Sequence, residues 1–335
     1  MEILVTRVGA IGDTILLSTL LQNLRNVYPR SEIHVLGHPE RVHLLLGLPN
    51  ADKVISSEDP WWLELHQSQP PRDELKGWLS DYDLVFCFSS EPTGILERNM
   101  RDILGAGLVH HPALPPEDYD RHYVEFLLEP LAALGGSIQI LPPVVACFPE
   151  RGIPAPLDPA CWEVVIHPGG GGEKKRWPLG CFLTLAGQLA EKAKARCCFL
   201  LGPAETGLEP RIVKAGQPVL QAVSLDEVIG LLRSARGYAG NDSGISHLAA
   251  ALGTPTVAVF TATDPAIWCP LGRRVCIIDA RGAPSRQSHI DRASRFLLEQ
   301  VRPPGGKLRN PSDQNSPSGD LPVTGRHRRC RDILG

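Results

Sequence analysis

No stretch of this 335-residue sequence approaches the roughly 20 consecutive apolar residues that a helix needs to cross a bilayer. Membrane contact, where there is any, is therefore expected to be peripheral. The opening run Met1 to Arg7 lacks the basic start and longer apolar core of a secretory signal and reads as a short strand, so a cytoplasmic location is expected. Nine cysteines are present, an odd number without regular spacing, Cys197 and Cys198 are adjacent, and no Cys-x-x-Cys pair occurs. Neither a disulfide framework nor zinc or dithiol chemistry has support in that pattern. Excess charge is missing too. With a formal net charge of −3, the chain has no electrostatic reason to bind nucleic acid. What is present is 43% apolar and 21% charged residues, an ordinary globular balance, on a chain long enough for two domains at roughly 150 residues each.

Along the chain, short apolar or β-branched runs alternate with stretches of helical period. Residues 2–8 read as a strand, Gly9 to Asp13 as a glycine turn, and 14–28 as a helix with Leu17, Leu20, Leu21, Leu24 and Val27 on one face. Strands are expected at 32–37, 53–55 and 84–88, and helices at 41–46, 72–80 and 119–134. Residues 56–71, with Trp61 and Trp62, read as an exposed loop. A proline-rich stretch from Leu141 to Pro159 suits a linker. The pattern then restarts with strands at 163–166 and 197–201, a helix opened by Pro178, and one capped by Ser224. An α/β chain of two doubly wound parallel domains is predicted, at 1–150 and 160–285. A last helix at 286–301, expected to pack back on the first domain, and a disordered Pro/Gly/Ser-rich tail at 302–335 ending in a basic cluster complete the organisation.

Three stretches carry chemistry. The turn after the first strand lacks the third glycine of the dinucleotide fingerprint, so a nicotinamide site is poorly supported. Asp13 stands at that strand's C-terminal end, where open α/β sheets bind ligands, with helix capping as its ordinary role. In the second half, His167-Pro168-Gly169-Gly170-Gly171-Gly172 runs into Glu173-Lys174-Lys175-Arg176. Such a loop lets backbone N–H groups and a lysine approach a diphosphate. Gly240-Asn241-Asp242-Ser243-Gly244 then opens a helix containing His247 and a small-residue run. A helix start of this kind is a ready anion site, and its ordinary reading is a capped helix with a structural histidine. Glu205, at the end of the 197–201 strand, is a candidate for ribose hydroxyls or else a lone surface carboxylate.

Taken together, Arg7-x-Gly9-Ala10-Ile11-Gly12-Asp13, His167-Pro168-Gly169, Lys175-Arg176-Trp177-Pro178 and Gly240 to Pro255 resemble the bacterial lipopolysaccharide heptosyltransferases, glycosyltransferase family nine. The resemblance implies the GT-B architecture, two Rossmann-like domains facing a central cleft, with the acceptor on the first and the nucleotide-sugar on the second. It implies inverting transfer of heptose from ADP-heptose to a lipopolysaccharide core-type acceptor, with no metal and no cofactor, at the inner face of the cytoplasmic membrane. Carried over by position, Asp13 is the general base, and Lys175, Glu205, Asp242, Ser243, Gly244 and His247 bind the donor. Arg7 and Gly12 touch a phosphate or the acceptor. Two further readings stay open: a nucleotide-sugar epimerase of the same architecture, and a noncatalytic sugar-nucleotide-binding protein. Asp81-Tyr82-Asp83 and Asp118-Tyr119-Asp120 have the Asp-x-Asp form by which another class of glycosyltransferases holds a metal, but no further ligands accompany either. Thr261 replaces the glycine usual in the family.

Overall fold

Runs such as Leu84-Val85-Phe86-Cys87-Phe88, buried at every position, can satisfy both faces only inside a sheet covered by helices on both sides. The chain builds two such sheets, described in a computed structural model over residues 1–146, 162–221, 224–283 and 285–301. The first contains β1 (Glu2–Thr6), β2 (Glu32–Gly37), β3 (Lys53–Ser56), β4 (Leu84–Phe88) and β5 (Leu108–His111), in the order β3-β2-β1-β4-β5 and parallel throughout. Helices α1 (Ile11–Val27), α2 (Pro39–Val42), α3 (Pro60–Glu64), α4 (Asp73–Ser80), α5 (Ile95–Leu104) and α6 (Tyr123–Ala133) connect or cover its strands.

The second sheet holds β6 (Val164–His167), β7 (Cys197–Leu201), β8 (Val219–Gln221), β9 (Gly237–Asn241), β10 (Thr256–Phe260) and β11 (Val275–Asp279), in the order β11-β10-β9-β6-β7-β8. Around it lie α7 (Leu179–Ala193), α8 (Glu209–Lys214), α9 (Leu225–Ser234), α10 (Gly244–Ala251), α11 (Pro265–Trp268) and α12 (Gln287–Val301). Strand order reverses between β1 and β4 in one domain and between β6 and β9 in the other. Those switch points are where a crevice opens above the strand ends. Asp13 follows β1, the glycine loop follows β6 and Asp242 follows β9, so all three chemical stretches stand at a switch point.

Packing joins the domains. Ile15 of α1, Leu44 and Val145 lie in one buried cluster with Val165, Leu200, Val228, Ile229 and Leu248 of the second domain. Full burial of one such aliphatic side chain contributes about 1.5–3 kcal/mol. Residues 139–146 are strapped along α1: Asn23 Oδ1 accepts from Gln139 N at 2.7 Å, Thr19 Oγ1 donates to Leu141 O at 2.9 Å, and Ser18 Oγ accepts from Val144 N at 2.9 Å. The rest of the expected linker, and the tail at 302–335, lie outside the described residues.

A second junction is polar. Buried His122 donates through Nε2 to Cys269 O at 2.9 Å, while its Nδ1 accepts from Val124 N at 3.2 Å. Burial pushes its pKa down from 6.5 to about 4. The unfolded chain therefore binds a proton between those values that the folded chain does not, and stability falls as pH drops through this window. A shift of this size corresponds to roughly 3 kcal/mol by pH 4. In urea melts, His122→Gln is expected to flatten the loss of stability between pH 6.5 and 4, and an unchanged slope would assign that loss to other groups.

Several expectations need correction. α12 packs on α7, β9 and β11 of the second domain rather than on the first, because Ile290, Ala293, Leu297 and Val301 complete that domain's core. Trp61 and Trp62 form part of α3, not an exposed loop; Trp62 is buried and Trp61 lies 4.3 Å from the Trp78 ring. Asp83 accepts from Glu2 N at 2.7 Å, which places the first Asp-x-Asp at the N-terminal end of β1, opposite the crevice. Strands β5, β8, β9 and β11 and helices α5, α8 and α11 are additional to the sequence reading.

Candidate functional site

The glycine turn after β1 is held from several directions. α1 starts at Ile11, three residues earlier than its periodicity suggests, so Asp13 is the third residue of the first turn and Ala10, not Asp13, holds the N-cap position. Its Oδ2 accepts from Ala10 N at 2.9 Å and stands 3.3 Å from Arg7 Nη2. Arg7 is buried, and the same Nη2 donates to Tyr123 Oη at 3.2 Å; Tyr123 donates onward to Ala113 O at 2.9 Å. Burial raises the Tyr123 phenol to about 12, against the pull of the Arg7 charge, so it stays a neutral hydrogen-bonding group. Trp268 of the second domain stacks on Tyr123 at 4.9 Å. A side chain at Gly9 would meet Asp13 Oδ2 at 2.8 Å, which is why glycine is needed there.

On the facing domain, Asn241 does the joining. It is fully buried, donates through Nδ2 to Pro168 O and Gly169 O at 2.9 and 2.8 Å, and accepts from Trp177 N at 2.8 Å. One side chain thus fixes both ends of the glycine loop to the end of β9. Thr261 donates to Lys174 O at 2.8 Å, so the residue that departs from the family pattern pins the same basic turn. Lys175 Nζ donates to Asp242 Oδ2 at 2.9 Å, and Thr263 Oγ1 donates to that oxygen at 2.6 Å.

Asp242 is therefore turned towards Lys175 and not spent as a cap. Ser243 occupies the cap position of α10, yet its side chain makes no capping hydrogen bond, leaving N–H groups of the first turn for a ligand. Ser246 Oγ donates to Asn241 O at 2.5 Å and lies 3.2 Å from the buried Tyr238 hydroxyl, which locks this helix start onto β9.

Glu205 is buried, contrary to the surface alternative. It accepts from Gly202 N at 3.1 Å and sits 3.6 Å from Arg176 Nη2. A Cβ on Gly169 would come within 2.6 Å of both Glu205 Cδ and His167 Cε1, so the glycine lets the loop lie directly over that carboxylate. His167 Nδ1 donates to Leu200 O at 2.9 Å, and burial lowers its pKa.

The two halves meet at His247. A Cβ on Gly12 would lie 3.1 Å from its ring, and one on Gly244 would lie 2.6 Å from Ile11 Cβ and 3.0 Å from Gly12 N. The N-termini of α1 and α10 thus abut through a pair of glycines, and their positive dipole ends converge. Burial lowers the His247 pKa, opposed by the charges of Asp242 and Asp13 and reinforced by Lys175. The ring is neutral at pH 7. Among the described residues its Nδ1 is buried without a hydrogen-bond partner, as are Arg7 Nε and Arg176 Nε. An unmade bond at such an atom costs about 1–3 kcal/mol, which a ligand oxygen would recover.

The structure thus brings Arg7, Gly12, Asp13, Lys175, Asp242, Ser243, Gly244 and His247 together, with Glu205 one strand further along. Sequence reasoning passed over the holding roles of Asn241, Arg176, Tyr123, Thr263 and Trp268. Asn241 and Arg176 sit within the motifs themselves; Tyr123, Thr263 and Trp268 have no local signature, because their partners are distant in sequence.

Comparison with known proteins finds similarity to one family, concentrated in the second domain. The family model for glycosyltransferase family 9 (heptosyltransferase) matches residues 160–294. Lipooligosaccharide heptosyltransferase 2 of Haemophilus ducreyi is 35% identical over 121 residues, 32% of this chain and 33% of that protein. The chain spans a third of the length of that relative and less than half of the other curated relatives it matches. Among solved structures, a glycosyl transferase family 9 protein from Veillonella parvula superposes with a TM-score of 0.69 at 17% identity, over 89% of this chain and 97% of that one. E. coli ADP-heptose lps heptosyltransferase II gives 0.67 at 20% identity, over 89% and 99%. The GT-B fold and the family resemblance expected from the sequence are both borne out.

Proposed function

Since residues 160–294 carry a glycosyltransferase family 9 domain, we propose that the chain transfers a sugar, heptose from ADP-heptose, to a hydroxyl of a lipopolysaccharide core-type acceptor. The observation that carries this reading is the meeting of Asp13, from one domain, with the Lys175–Asp242 pair, from the other, around His247.

In this reading the nucleotide-sugar lies along the second domain. Its diphosphate faces Lys175 and the open first turn of α10, Glu205 takes ribose hydroxyls beside Gly169, and His247 Nδ1 meets a phosphate or sugar oxygen. As the glycosidic bond to the diphosphate breaks, negative charge grows on the leaving oxygen. Fixed donors already aimed at that position stabilise it without reorganising. Asp13 accepts the proton of the attacking acceptor hydroxyl from the opposite face, so one displacement inverts the anomeric centre. Arg7 holds Asp13 in place, and Tyr123 holds Arg7. Because Lys175 and the α10 amides meet the charge of the diphosphate, the reaction is proposed to need no metal. The acceptor, being lipid-linked, brings the chain to the cytoplasmic membrane face as a peripheral visitor; among the described residues no helix is long and apolar enough to cross a membrane.

The test is transfer from ADP-heptose to a lipopolysaccharide core-type acceptor in the presence of EDTA, with the product's anomeric configuration read by NMR. Inverted product formed under chelation is expected. Turnover of the donor without acceptor would favour the epimerase reading, and donor binding with no turnover of any kind the noncatalytic one.

A further inference from the structure

The edge of the second sheet farthest from the crevice carries a row of arginines. Arg196 immediately precedes β7, Arg236 precedes β9 and Arg274 precedes β11. In the strand order β11-β10-β9-β6-β7-β8 these are alternate strands, so the three residues are spaced about 10 Å apart at the usual strand separation. Two of them, with Arg233 from the last turn of α9, line a cleft of about 300 Å³ closed by Gly253, Pro255 and Gln300.

The walls of this cleft leave its charge largely unneutralised. Arg236 Nη1 donates to Val301 O at 3.2 Å and lies 3.4 Å from Glu163 Oε1; Arg274 donates to Gln300 Oε1 and to Gly253 O, each at 3.4 Å. Arg233 is exposed. Among the described residues one carboxylate, Glu163, pairs with one of the three guanidinium groups, each of which carries five N–H donors in a planar fork suited to phosphate oxygens. The bonds to Val301, Gln300 and Gly253 hold two of the forks in place, which reduces the ordering a ligand would have to bring about.

We propose that the Arg233–Arg236–Arg274 cleft is a second anion site, separate from the donor crevice, and that it takes a phosphate group. It lies at the N-terminal ends of the strands, whereas Asp242 and the glycine loop stand at their C-terminal ends, so a ligand here leaves the crevice open. The phosphate has two sources: the free ion, or the headgroup of an anionic phospholipid.

Two probes separate them. The full chain is titrated with inorganic phosphate by calorimetry, and separately floated with mixed vesicles of phosphatidylglycerol and phosphatidylethanolamine, whose anionic headgroups attract basic side chains. Wild type is compared with Arg233→Gln/Arg274→Gln and with Arg233→Glu, whose exposed position spares the fold; residues 302–335 are common to all. Affinity is expected to fall about tenfold for each arginine removed. A fall for inorganic phosphate assigns the free ion as a ligand, and a fall for vesicles alone assigns the lipid headgroup. Equal binding of every variant to both probes overturns the proposal. Transfer activity on a water-soluble acceptor should be unchanged throughout.

Discussion

Asp13→Asn is expected to lower kcat by about a hundred- to ten-thousandfold, the range for removing a positioned general base. ADP affinity should change little. The substitution is chosen because asparagine keeps an oxygen that can accept from Ala10 N, so the first turn of α1 stays closed. What it removes is the group able to take a proton. It also leaves buried Arg7 without its ion partner, so thermal stability is expected to drop and rates must be scaled to the folded fraction. Full turnover by folded Asp13→Asn would remove the base from the mechanism and leave Arg7–Asp13 as a structural pair.

Lys175→Ala is expected to lower kcat/KM by about a hundred- to a thousandfold, the cost of losing one fixed donor to charge that grows in the transition state. A competing explanation has to be separated, because Lys175 is also the cation paired with Asp242. Without it, the buried carboxylate keeps, among the described residues, the Thr263 hydroxyl and would repel a diphosphate. Lys175→Ala/Asp242→Asn distinguishes the two. If Lys175 serves only to neutralise Asp242, the double variant recovers; if Lys175 meets the diphosphate, activity stays low. The proposed mechanism predicts the second result, with the loss seen in donor binding and in turnover alike.

Much of this site was legible because its residues are close together in sequence and follow strands. Gly9 to Asp13 and Gly240 to His247 each contain the turn, the helix start and the polar group within a few positions, and strand-end placement follows from the alternation of elements. The first-domain strands at 32–37 and 84–88 and the helix opened by Ser224 were readable for the same local reasons. β5 was hidden by its own composition, since two of its four residues are histidines, and β8 by being only three residues long. The orientation of Asp242 was not readable at all. A carboxylate before a helix suggests a cap, and only the fold brings Lys175 and Thr263 near enough to turn it away. Likewise, Trp61 and Trp62 looked exposed among prolines, yet Trp78, sixteen residues beyond Trp62, supplies the ring that packs them down. α12 was found at its full length, but the side it covers depends on which core lacks a layer, and no periodicity states that.

A crystal structure of the full chain with ADP tests the central claim most directly, because it asks whether the crevice between the two sheets is the nucleotide site. The expected result places the diphosphate against the first turn of α10, within hydrogen-bond distance of Lys175 Nζ, with the ribose near Glu205 and Asp13 across the gap. ADP bound elsewhere, for example in the cleft between α4 and α5 lined by Lys76, Arg98 and Asp102, with the α10 N-terminus left untouched, would contradict it.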